Sequence, residues 1–344
     1  MAGVSEGTVD RVIHNRGNVS VDTEKKIQGI LEKTGYTSNP IARSLGSRKD
    51  YQIEVMIPNP KQDEYWQLSE TGIDKALVEW EPYSIAINLK TFDLEDPNSF
   101  VQTCDTVLQS EPDAILTASV FYEETLAFSE KLQEVEIPYI VFNTQIDENI
   151  KKFDPLCFVG QNMYQSGMVA AEMMHIAMRE PREIAVFHIH ENVKSSIHLK
   201  EKEQGFRDYF TDFIQSDIKI HTFTFLDRKD SFEAQIEECI QQNDLQGIFV
   251  PTSSGAYLTS QALENQSKKD TILIGYDLLG KNIHYLNRGT INFLINQNPQ
   301  LQAYQGVRHL VNHLLLNLEI PPAYLLPLEI ITRQNYSSFM NNNY

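Results

Sequence analysis

The chain has 344 residues, a net charge of −18 and a hydrophobic content of 41%. That length is too great for one compact core and suits a small unit ahead of two lobes of ordinary size. No apolar run is long enough to span a bilayer, which excludes a membrane helix; the opening residues are polar and carry no signal-peptide core, so a cytoplasmic location is expected. Three scattered cysteines, Cys104, Cys157 and Cys239, have no metal-site spacing and are expected to be reduced and buried.

The charge is unevenly spread. Residues 1–50 carry eight Lys+Arg against six Asp+Glu, while the remainder carries 21 against 41. A weakly basic front ahead of an acidic body fits a front that approaches phosphates and a body that DNA repels.

In chain order, Ala2-Gly3-Val4-Ser5 reads as a turn ending in a helix cap, the Ser5 hydroxyl accepting a first-turn N–H. Thr8 to Ile13 forms a short helix with Val9, Val12 and Ile13 on its inner face and Glu6, Gly7, Asp10, Arg11 and His14 outside. Asn15-Arg16-Gly17 closes it, and a second helix runs from Val21 to about Thr34, stopped by Gly35. Asn39-Pro40 then opens Ile41-Ala42-Arg43-Ser44-Leu45, a segment too short to be a stable helix alone.

This ordered string, residues 2–48, resembles the headpiece of the LacI/GalR (lactose-repressor) family: a turn and recognition helix, a third helix and a hinge helix. The resemblance implies that Glu6, Gly7 and Arg11 read bases in the major groove. Arg11 would grip guanine O6 and N7, and Glu6 would accept from cytosine N4. Ser5 at the helix end, Thr8, Asn15 and Arg16 would meet phosphates, and Leu45 would wedge into the minor groove. The family places its first headpiece helix before this turn, so either the start lies upstream or the headpiece is expected to be defective; the stripe Val9, Val12 and Ile13 is expected to need such a partner for firm operator binding.

From Tyr51 apolar strands alternate with helices. Strands are expected at Ile53–Ile57, Tyr83–Asn88, Ala114–Thr117, Ile137–Phe142, Ile184–Phe187, Ile218–Phe225, Gly247–Val250 and Thr271–Tyr276. Helices are expected at Leu68–Trp80 and Ser99–Gln109, the first opened by Tyr65-Trp66. The alternation predicts an α/β fold of two doubly wound, parallel-sheet lobes, with ligands bound off the C-terminal strand ends. The expected organisation is a partial helix-turn-helix headpiece over 1–38, a hinge and linker over 39–50, a core over 51–336 and a tail over 337–344. Within the core, one lobe takes about 51–161 and 290–321, and the other about 162–289 and 322–336.

Polar and aromatic residues gather at those strand ends: Asn59, Tyr65-Trp66, Asn143-Thr144, Thr252-Ser253, Asp277 and Gln297. In order, they resemble the pocket motifs of periplasmic sugar-binding proteins and of the regulator cores akin to them. The resemblance implies an amide and aromatic platform from Asn59, Tyr65 and Trp66, and hydroxyl-holding groups from Thr252, Ser253, Asp277 and Gln297. Asn143 and Thr144 stand where sugar binders often carry Asp-Arg. Lys202 stands where they carry Arg, keeping the charge without the planar fork.

His188, His190 and His198 have no third ligand at metal spacing, and no phosphate loop, dinucleotide fingerprint or nucleophile elbow occurs. No metal, cofactor or enzymatic activity is therefore expected. The leading reading is a carbohydrate-responsive, homodimeric DNA-binding regulator, because each headpiece reads half a palindrome. A transport-type solute-binding protein is the alternative, and an enzyme on the same fold the third.

Overall fold

A computed structural model describes residues 2–13, 17–34, 50–146, 153–178, 183–189, 196–214, 218–226 and 231–341. The expected hinge helix, Asn15, Arg16, Leu45 and His190 lie outside the described residues. In the front unit, helix α1 (Glu6–Ile13) and helix α2 (Val21–Thr34) form where the sequence places them. Ser5 Oγ accepts the Thr8 N–H at 3.2 Å and shares a 2.9 Å hydrogen bond with the Thr8 hydroxyl. Ile27 of α2 is buried, while Val9, Val12 and Ile13 are half-buried.

The body holds two six-stranded sheets. The first contains β1 (Tyr51–Pro58), β2 (Ile85–Phe92), β3 (Ala114–Ala118), β4 (Tyr139–Phe142), β5 (Cys157–Gly160) and β11 (Ala323–Leu325), ordered β11-β5-β4-β3-β1-β2 and parallel throughout. The second contains β6 (Glu183–Ile189), β7 (Lys219–Phe225), β8 (Gly247–Phe249), β9 (Ile272–Tyr276), β10 (Phe293–Asn296) and β12 (Glu329–Ile331), ordered β12-β10-β9-β8-β6-β7. Edge strand β12 alone departs from the expected parallel pattern, running antiparallel to β10. Each lobe repeats one strand order, with the order reversing beside its first strand, so clefts open at the C-terminal ends of β1 and β3 and of β6 and β8.

The first lobe's helices are α3 (Glu64–Trp80), α4 (Pro97–Gln109), α5 (Tyr122–Glu134) and, later in the chain, α11 (Pro299–Leu316). The second lobe has α6 (Met163–Ala177), α7 (Ile197–Tyr209), α8 (Phe232–Gln242), α9 (Gly255–Asn265) and α10 (Gly280–Arg288), and α12 (Tyr336–Asn341) ends the described chain. Helix α3 starts four residues before the expected Leu68, because Asp63 caps it by accepting the Tyr65 N–H at 2.8 Å.

The chain crosses between sheets near 161, 297 and 327. Two of these points differ from the expected bounds. Strand β10 pairs with β9 in the second sheet, so the return to the first lobe follows Asn296 rather than starting at 290. Strand β11 pairs with β5 in the first, so the last crossing follows Leu325 rather than 321. All three cysteines are buried and unbridged, and burial pushes the Cys157 and Cys239 thiols up to about 11.

Helices α6 and α7 cross at backbone contact. A Cβ on Gly167 would stand 1.9 Å from the Lys202 carbonyl oxygen, and one on Gly205 1.9 Å from that of Tyr164. Gly167→Ala is therefore expected to push α7 outward and cost at least about 2 kcal/mol of stability, measured by urea unfolding; an unchanged midpoint would refute this account of the crossing.

Candidate functional site

The strand-end residues of both lobes converge on one cleft. Asp277, just past β9, is fully buried and takes left-handed backbone (φ 63°), a conformation that Asp and Asn tolerate better than other non-glycine residues. Its carboxylate accepts from Ser253 Oγ at 2.5 Å, the Gln297 N–H at 2.8 Å and Gln297 Nε2 at 2.6 Å. Burial raises its pKa, opposed by those hydrogen bonds and by the Lys202 charge. Asn282 braces the same turn, its amide donating to the carbonyls of Ser253, Tyr276 and Asp277.

Lys202 is also buried, on α7. Its ammonium donates to the Pro251 carbonyl at 3.0 Å and Gln297 Oε1 at 3.1 Å, and lies 3.7 Å from the centroid of the Tyr276 ring. Tyr276 OH in turn shares a 2.6 Å bond with Ser166 Oγ on α6. The buried carboxylate and ammonium thus sit among donors and acceptors that meet their needs, as buried charges require.

From the first lobe, Tyr65 OH donates to Asn143 Oδ1 at 2.6 Å. Asn143 also has left-handed backbone (φ 77°) at the end of β4. Burial, then the Asp277 charge, raises the Tyr65 pKa well above its usual value. Trp66 departs from the platform role: it is 4% exposed, edge-on to Tyr65 and Phe142 in the first lobe's core. Asn59 shapes the loop after β1, its Oδ1 accepting the Lys61 N–H. Thr144 is buried, and its carbonyl accepts from the Ser119 hydroxyl.

Several cleft residues have no sequence signature. Gln302 of α11 donates to the Gln297 carbonyl at 2.8 Å. Its Oε1, like Thr252 Oγ1 and Asn282 Oδ1, is a buried polar atom without a hydrogen-bond partner. Gln161, at the first crossing, donates from one amide to the carbonyls of Asn296 at 2.9 Å and Pro327 at 2.7 Å, tying all three crossings together. Ser119, Tyr122, Thr144, Ser196 and His198 line a small interlobe hollow of about 10 Å³, roughly the space of one water molecule.

His188 is fully buried near the end of β6. Its Nε2 donates to Glu203 Oε2 at 2.6 Å, and Arg207 Nε donates to Glu203 Oε1 at 2.8 Å. No group of three His, Cys, Asp or Glu able to hold a metal ion occurs among the described residues.

In the front unit Arg11 is exposed on α1, with Gly7 exposed and Thr8 half-buried nearer its start; of Glu6 the backbone alone is described. The description "Bacterial regulatory proteins, lacI family" matches residues 1–39, and "Periplasmic binding protein domain" matches 53–317. A LacI transcriptional regulator from Bacteroides fragilis is 31% identical, with a TM-score of 0.77 over 84% of this chain and 99% of that one.

The chain belongs to the LacI family.

The sucrose operon repressor of Streptococcus mutans is 25% identical over 97% of both chains. Catabolite control protein A of the same species is 33% identical over 115 residues, so the match spans a third of that protein's length. A solute-binding protein from Agrobacterium vitis bound with α-D-tagatopyranose shares the fold, with a TM-score of 0.72 at 21% identity over 84% of this chain and 96% of that one.

The Glu203 cluster gives this LacI-family protein a pH signature. Burial raises the Glu203 pKa, but hydrogen bonds from His188, Thr222 and Arg207 outweigh it and hold the carboxyl at about 2, below the ordinary 4.5. A depressed folded pKa contributes stability above the unfolded value, lost as pH falls through the folded one. Glu203→Gln should therefore lower stability at pH 7, and the deficit should shrink from about pH 4.5 towards pH 2. Denaturant unfolding of both proteins across that range checks this; a pH-independent deficit would contradict it.

Proposed function

We propose that this protein is a cytoplasmic, homodimeric transcription regulator whose two-lobed core binds a small carbohydrate and thereby alters operator affinity. The observation that carries the reading is the buried Asp277 carboxylate with its Ser253 and Gln297 donors in one lobe and the Tyr65–Asn143 pair in the other, with Leu279, two residues past Asp277, packed in one core with Tyr65. Carboxylate, amide and phenol groups can bridge neighbouring hydroxyls of a sugar. The ligand contacts are Tyr65, Asn143, Thr144, Lys202, Thr252, Ser253, Asp277 and Gln297, with Asn59 shaping the rim and Trp66 packing behind Tyr65. In this reading the cleft holds its ligand and transforms nothing.

A sugar changes operator affinity by binding one lobe arrangement more tightly than the other. The headpieces of a dimer then read the two halves of a palindrome through Gly7 and Arg11, with Glu6 beside them. Ser5, Thr8, Asn15 and Arg16 meet phosphates, and Leu45 wedges the minor groove.

Two measurements check this reading. Asp277→Asn keeps the left-handed turn but removes the charge, and should lose at least about 1.5 kcal/mol of sugar affinity in calorimetry. Equal heats from mutant and wild type would remove Asp277 from the site. Titration of palindromic and half-site DNA over a salt series should show tighter binding to the palindrome. Arg11→Ala should cost about 1–3 kcal/mol and relax specificity at one base pair, whereas sequence-indifferent binding would leave a sugar-binding module without a DNA role.

A further inference from the structure

Helix α10 of the second lobe begins without a cap of its own. Its N-cap residue is Leu279, which offers no side-chain acceptor (φ −70°, ψ 149°). First-turn N–H groups have no partner within their helix. The Gly280 N–H finds one in the other lobe: it donates to Glu64 Oε1 at 2.7 Å, across 216 residues of sequence. Glu64 opens α3, and its own helix start is satisfied by Asp63, so its carboxylate is available to reach across. A Cβ at Gly280 would stand 3.2 Å from that oxygen, so glycine keeps the approach clear. Leu279, next to it, is 3% exposed and packs in the first lobe's core with Tyr65 and Trp66, although its chain belongs to the second.

These contacts differ in kind from the Gln161 bonds. Gln161 ties the three crossings to one another at the pivot, where lobes can rotate without parting. Glu64–Gly280 and the buried Leu279 join the bodies of the two lobes and not the crossing segments, so separating the lobes must break them. Asp277, Gln297, Thr252 and Tyr65 are all buried in this arrangement, so a sugar reaches them only when the lobes separate, and binding remakes the contact.

We propose that Glu64 is the positioning residue that closes the lobes over the effector, acting as an N-cap supplied by one lobe to a helix of the other. The proposal rests on the cleft being the effector site. A carboxylate at a helix N-terminus is stabilised by both the hydrogen bond and the helix dipole. The contact is solvent-exposed, so salt weakens it. Because affinity for a ligand that binds the closed form scales with the closed fraction, the latch sets effector affinity without touching the effector.

The test pairs two deletions of one hydrogen bond. Glu64→Ala removes the acceptor. Gly280→Pro removes the donor and sets its ring in the path of the Glu64 carboxylate; proline is tolerated at the first helical position, and Leu279 already has the backbone angles that suit a residue before proline. Spin labels on Val78→Cys and Lys269→Cys report the interlobe distance in the full chain, with D-glucose, D-galactose, D-tagatose and D-arabinose as sugar probes. Each deletion should lengthen or broaden the ligand-free distance and weaken sugar binding about two- to fivefold, with no change in the thermal midpoint. The double variant should be no worse than either single, Glu64→Gln should be intermediate, and high salt should narrow its difference from wild type. Unchanged distances in both single variants, or additive effects in the double, would overturn the proposal. If the distances shift as expected while no probe binds the wild type, the latch stands and the carbohydrate reading falls.

Discussion

The cleft depends on the burial of one carboxylate. Asp277 lies at the end of a central strand with no exposure, where an unpaired charge is untenable. Every element around it answers that demand. The turn after β8 supplies the Ser253 hydroxyl, and the crossing after β10 supplies two donors from Gln297. Helix α7 brings Lys202, and Lys202 reaches the site because Gly167 and Gly205 let α6 and α7 touch backbone to backbone. Removing one member of such a set leaves the others buried and unpaired, so the set is held together as a unit.

Gln297 links this charge cluster to the motion of the lobes. It sits at the second crossing, its side chain committed to Asp277 and Lys202 and its carbonyl to Gln302 of the first lobe. Gln161 clamps the same crossing through the Asn296 carbonyl. A ligand that pulls on Asp277 therefore acts one residue from the pivot. Buried acceptors on Gln161, Gln302 and Asn282 without partners mark this region as one where polar groups are imperfectly satisfied. Such groups are costly, and a second arrangement that satisfies them differently would lie close in energy.

The strands were legible because parallel sheets buried on both faces give continuous apolar runs, and the strand-end motifs followed from where those runs stop. Asp277, Asn143 and Tyr65 were found by that logic, and Tyr65 and Asn143 share a hydrogen bond. What the sequence hid is contact between distant segments. The Gln161 amide meets carbonyls 135 and 166 residues away, which no local pattern records. Strands β10 and β11 are four and three residues long, so which sheet they join is decided by tertiary pairing, and the expected crossings fell several residues early. Trp66 was read as a platform from its place beside Tyr65. Adjacent helical residues point in different directions: Tyr65 finds a polar partner in Asn143, while Trp66 packs edge-on against Phe142.

Strand β1 is the shortest covalent route between the two ends of the mechanism. It begins at Tyr51, where the segment following the headpiece enters the core, and ends at Pro58, one residue before Asn59 at the cleft. Eight residues of extended chain reach about 26 Å, and β1 is held on both sides by β2 and β3. A strand so clamped transmits displacement of its lobe as a rigid body and not by bending. On the proposed reading, movement of the first lobe on sugar binding would be carried along that strand to Tyr51. Linkage would make the relation reciprocal: in the proposed dimer, DNA that fixes the spacing of two such strands would bias the cleft by the same free energy with which sugar biases the DNA.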